Sequence, residues 1–212
     1  GRFEPLPPGR DPDGPKRGKK GSGKGGEPKA ADDKAADDKK PVETETGLAT
    51  TVSIGRFVGA ARSVQTDWAK LDKNARAKGL GDAANAELSA ASVPGTGMKV
   101  ENLGTRDGEI QFQTWDLALG EAKFSQPTLT DDDAAAVSNT VYHEARHAEQ
   151  WHRMARIQAG KGQTAEQIAT DMFLPKKVAE DAAGKALKGD TKEAKEGAQW
   201  LESVYGTNAA AR

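Results

Sequence analysis

The apolar positions change period along the chain. Between 50 and 78, Ile54, Phe57, Val58, Ala61, Val64, Trp68 and Leu71 recur close to i, i+3, i+4, i+7, which predicts an amphipathic helix. Gly79-Leu80-Gly81 should end or interrupt it, and 82–92 should form a second short helix before the loop Val93-Pro94-Gly95-Thr96-Gly97. The pattern then shifts towards alternation. Met98–Leu103 reads as one strand and Glu109–Leu119 as a second, with a turn at 104–108, so a hairpin is predicted. Ile110 and Phe112 sit on one parity and Trp115, Leu117 and Leu119 on the other, which predicts a bulge near Thr114-Trp115.

From 130 onwards the helical period returns. Thr130 followed by Asp131, Asp132 and Asp133 is a helix-start signal, with acids near the positive end of the dipole. That helix should run from about 131 to 159 and end at Gly160-Lys161-Gly162. Three further helices are predicted over 164–173, 175–188 with Pro175 in the first turn, and 191–205. The sum is an α+β fold, mostly helical, with a small hairpin or sheet before the long helix.

Residues 1–47 carry almost no apolar side chains and are dominated by Pro, Gly, Lys and Asp, including the repeat AADDK at 30–34 and 35–39. Such a segment buries too little apolar surface to offset its chain entropy, so it is expected to be a disordered low-complexity linker. The single folded domain is expected over 48–212. The chain opens on Gly, and is expected to be an excised piece of a longer protein.

Composition narrows the chemistry. With no cysteine, disulfides, thiolate zinc sites and Cys nucleophiles are excluded. Lys and Arg number 31 against 32 Asp and Glu, so no nucleic-acid partner is expected from charge. No apolar run approaches the roughly 20 residues of a membrane span.

All three histidines lie in TVYHEARHAEQWH, residues 140–152. On a helix His147 stands about 40° from His143, one turn apart on one face. Gln150 and Arg146 share that face, and Asn139 and Met154 complete its stripe. Val137, Val141, Ala145, Ala148 and Ala155 lie roughly opposite and should be buried.

His143-Glu144-Ala145-Arg146-His147 resembles the H-E-x-x-H motif of the zincin metallopeptidases. The resemblance covers about 60 residues, of which five form the motif. It implies that His143 and His147 bind one zinc ion and that Glu144 is the general base of a zinc endopeptidase acting on protein or peptide substrates. It also implies that an edge strand before the helix pairs with the substrate main chain. Zinc brings a bound water's pKa down to about 7.

His152 does not fit the metzincin spacing, since it points away from His143 on a continuous helix. It reads as a packing or surface histidine, and Glu149 as an ion-pair or supporting group. A third ligand of the gluzincin type would be a later carboxylate: Glu202 and Glu180 rank equally ahead of Glu166, Glu196, Asp171 and Asp181. Tyr205 is a candidate oxyanion stabiliser. Arg146 and Gln150 would bind substrate or orient a ligand, or Arg146 would pair with a helix acid. Trp115, Trp151 and Trp200 read as core. A looser similarity is to metallopeptidase-like domains of bacterial polymorphic toxins and effectors. It implies a secreted or injected protein with a delivery apparatus or an inhibitory partner. The alternative reading is a non-catalytic interaction or cargo domain whose HExxH helix is structural.

Overall fold

The computed structural model describes residues 46–205. Of the linker expected over 1–47, residues 1–45 lie outside the described residues, and Thr46 and Gly47 are half-buried. The described part is α+β: seven helices and a three-stranded sheet.

A 3₁₀ turn over Gly47–Ala49 leads to α1, Thr51–Thr66, whose N-cap Thr50 accepts the Ser53 N–H. The helix predicted to reach 78 stops here. A 3₁₀ turn at Trp68–Lys70 follows, and Asp72 caps a new helix, α2, Lys73–Ala90. The α1 stripe is also rotated from expectation. Ser53, Phe57 and Ala61 face the core at i, i+4, i+8, while Ile54 and Val58 stand 43% and 38% exposed.

α2 runs straight through Gly79 and Gly81, which were expected to stop it. Both glycines are sites of close approach. A Cβ at Gly79 would lie 2.9 Å from Val64 Cγ2, and one at Gly81 would run into Met98 Sδ. Here glycine lets α1 and the sheet press on α2, and that packing outweighs its poor helix propensity.

The predicted hairpin is a three-stranded sheet. Its strands are β1, Gly97–Glu101, β2, Gly108–Gln111, and β3, Asp116–Gly120. Their order is β1-β3-β2, with β3 parallel to β1 and antiparallel to β2. The expected bulge is a full turn, because Trp115 N–H returns to Gln111 O at 2.8 Å with Trp115 at φ +61°. Gly120 then begins a short helix, α3, Glu121–Phe124.

α4, Asp131–Gly160, is the spine. Thr130 accepts the Asp133 N–H, and three aspartates fill the first turn as predicted. Val137, Val141, Ala145, Ala148 and Ala155 are all buried. Met154, expected on the open ligand face, is buried too, because α5, Ala165–Asp171, α6, Lys176–Gly184, and α7, Lys192–Tyr205, gather around the C-terminal half of α4. α6 ends four residues before the expected 188. Among the described residues no helix is long and apolar enough to cross a membrane.

Candidate metal site

The open stretch of α4 carries the motif. His143 and His147 follow one another by a single turn. Their rings meet edge to face with centroids 4.5 Å apart, and their Nε2 atoms are 3.0 Å apart. His143 is exposed and His147 half-buried. Gln150, a further turn along the same face, places Oε1 3.0 Å from His147 Nδ1. A carbonyl oxygen only accepts, so this contact suits the His147 tautomer with its proton on Nδ1 and the Nε2 lone pair open to a metal. Of the two roles expected for Gln150, orienting a ligand is the one that this contact would serve.

Glu144 lies between the histidines in sequence and turns to the sheet. The Ile110 N–H donates to its Oε2 at 3.0 Å. Burial pushes the carboxyl above the usual carboxylate range, against the pull of His147, His143 and the Ile110 N–H. Ligand atoms of His143, Glu144 and His147 all lie within 4.8 Å of one another, and this is the one such group among the described residues.

The even-numbered face of β2 explains how Glu144 reaches Ile110. A Cβ at Gly108 would fall 2.6 Å from Thr140 Cγ2, and Phe112 stacks on Trp151 with ring centroids 4.0 Å apart. β2 and the first residue of the turn after it therefore track along α4 from Thr140 to Trp151, passing the histidine turn. Sequence pattern placed a strand beside this helix but gave no sign that a β2 amide would engage Glu144.

The carboxylates expected to close a metal shell do not join the group. Glu180 sits on α6 with its side chain 53% exposed and Lys176 Nζ 3.6 Å away. Glu202 is exposed on α7. Glu166 is exposed on α5, and Glu196 pairs with Arg153. Asp171 accepts from Gln163 at 3.3 Å. Tyr205 packs edge-on to Trp151 at 6.2 Å, and burial pushes its phenol up to about 12. Trp115 is buried as expected, while Trp151 and Trp200 are half-buried.

His152 and Glu149 take structural places. Glu149 is 2% exposed, forms an ion pair with Arg153 at 2.5 Å and accepts the Leu48 N–H at 3.1 Å. His152 is fully buried, with Nε2 2.9 Å from Asp181 Oδ2. Asp181, weighed as a ligand, is thus committed to this pair and to Lys185 at 2.9 Å.

Burial pulls the His152 pKa down from 6.5 to about 4, outweighing the opposing pull of Asp181. A depressed histidine pKa means that the unfolded chain binds the proton more tightly. Stability from this residue is complete above pH 6.5 and drains away as pH falls towards 4, by about 2–3 kcal/mol. Urea midpoints measured from pH 7.5 to 4 should therefore decline more steeply in the wild type than in His152→Gln. Parallel slopes would contradict this assignment.

No protein-family description, no curated protein and no solved structure matches this chain.

Proposed function

We propose that the domain is a zinc-dependent endopeptidase in which His143 and His147 hold the metal and Glu144 is the general base. The observation that carries this reading is the meeting of two Nε2 atoms at 3.0 Å beside the Glu144 carboxylate. Two nitrogens on one tetrahedral zinc, each about 2.0–2.1 Å from it, stand about 3.3 Å apart. The observed pair fits after a small opening of the two rings. Imidazole nitrogens suit zinc among the common divalent ions, and zinc supplies Lewis acidity towards water and a carbonyl at neutral pH.

The remaining work falls to the chain itself. Gln150 fixes the His147 tautomer, as partners of metal-binding imidazoles do. His143 offers Nε2 once its proton rests on Nδ1. The raised carboxyl of Glu144 takes a proton from the attacking water and passes it to the leaving amine. The β2 edge, which runs past this turn, supports an extended peptide as the substrate.

The purified protein should take up one equivalent of zinc by elemental analysis. His143→Ala and His147→Ala should each lose it with far-UV circular dichroism unchanged, because both rings lie off the buried face of α4. Glu180→Gln and Glu202→Gln should leave the stoichiometry as it is, since both side chains stand outside the group. Wild-type protein that takes up no zinc would refute the reading.

One observation favours the alternative of a non-catalytic interaction domain. Glu144 is already satisfied by Ile110, and the two histidines by each other. Zinc uptake without cleavage of unfolded casein would select that alternative.

A further inference from the structure

The engagement of Glu144 by a strand amide bears on how the site is switched on, a question that rests on the peptidase reading. Among the described residues β2 pairs on one side only, with β3. Asp107 O accepts the Gly120 N–H at 2.8 Å, so odd-numbered main-chain groups of this strand point inward to β3. Alternation then turns the main-chain groups of Gly108 and Ile110 to the open edge. Ile110 N–H is thus the donor that an added strand would meet beside the histidines. In the resting state that donor is taken by Glu144 Oε2 at 3.0 Å.

A carboxylate held this way is poorly placed for catalysis. One of its oxygens is committed to a strand amide. The same donor is what a peptide carbonyl seeks when a strand adds to a sheet edge.

We propose that the Ile110 N–H is a latch. It holds the general base in the resting enzyme, and an extended peptide pairing along β2 takes the donor over and releases Glu144 to the water. The exchange replaces one hydrogen bond by another, so it costs little. It makes activity conditional on a substrate long enough to form a strand. Blocked dipeptide amides, which cannot pair along β2, bind without releasing the base and turn over slowly. Unfolded polypeptides do both. The substrate class is therefore an extended polypeptide segment, selected by its main chain.

Two measurements on the zinc-loaded full chain test this. Amide hydrogen exchange at Ile110 should be slow in the wild type and at least about tenfold faster in Glu144→Ala; equal rates overturn the latch. Ile110→Pro removes the donor at an edge position where proline is tolerated, and Ile110→Val keeps it as the packing control. Relative to Ile110→Val, Ile110→Pro should raise kcat on blocked dipeptide amides several-fold and lower kcat/KM on unfolded casein. If dipeptide turnover is unchanged or lower in a folded Ile110→Pro protein, the latch is wrong. Zinc-loaded wild type that cleaves neither substrate sinks the peptidase reading itself. Cleavage of casein together with Ile110 exchange insensitive to Glu144→Ala sinks the latch alone.

Discussion

Glu144→Gln should keep its zinc and lose peptide hydrolysis by about 10²–10⁴-fold, the usual contribution of a positioned general base. Glutamine has the same shape as glutamate, and its amide oxygen can still accept the Ile110 N–H, so the β2–α4 contact persists. What disappears is the capacity to take a proton. The substitution therefore separates chemistry from structure. Kinetics on unfolded casein and elemental analysis should be run on one preparation. Normal cleavage would remove Glu144 from the mechanism, and loss of metal would show that its charge helps to hold the ion.

The largest stability effect is expected away from the histidines, at Arg153. The residue is 3% exposed, and its guanidinium donates to Glu149 at 2.5 Å, to Glu196 at 2.6 Å and to Thr46 Oγ1 at 3.0 Å. Its Cζ also lies 4.9 Å from the centre of the Trp200 ring. Arg153→Met keeps much of the aliphatic stem and deletes the charge. Among the described residues, Glu149 would then be left with the Leu48 N–H and the weaker pull of Arg146. Removing one partner of a buried ion pair costs about 3–5 kcal/mol, most of it the uncompensated charge that remains. Urea unfolding should show that loss, and the double substitution Glu149→Met with Arg153→Met should recover much of it. If the single variant loses less than about 1 kcal/mol, the pair is better solvated than its geometry implies.

The long helix and its cap were legible because Thr130, three aspartates and the spacing of Val137, Val141 and Ala145 all point the same way. The sheet was only half legible. Phe112-Gln113-Thr114-Trp115 contains neither Gly, Pro, Asn nor Asp, so turn chemistry gave no signal for the β2–β3 reversal. A tryptophan at φ +61°, its ring buried and its Nε1 donating to Pro94 O at 3.1 Å, takes the place usually given to glycine. The parity shift was real, but it marked a turn rather than a bulge. Gly79 and Gly81 mislead for the opposite reason. Propensity marks them as breakers, yet a helix can use glycine wherever a neighbour must come close.

At the site, spacing along one helix was enough to bring His143, His147 and Gln150 together, since 3.6-residue geometry is local. The partner of Glu144 was hidden because it is a main-chain amide from a strand 34 residues away. The later carboxylates could be ranked by sequence context alone, and nothing in Val178-Ala179-Glu180 or Trp200-Leu201-Glu202 tells which way those helices roll on α4.

The upstream end of the described fold is fastened to α4 behind the histidine turn. Tyr142, the neighbour of His143, gives its hydroxyl to Leu48 O at 2.6 Å, and Glu149 takes the Leu48 N–H from two turns further on. Thr46 is tied to Glu196 on α7 at 2.6 Å. Traction applied through residue 46 would accordingly strain these anchors before it reached the sheet. A proteolytic nick that freed 46–48 would strip partners from Tyr142 and Glu149 on either side of the histidine turn. Mechanical work or trimming at that end would therefore register first where the metal is proposed to sit.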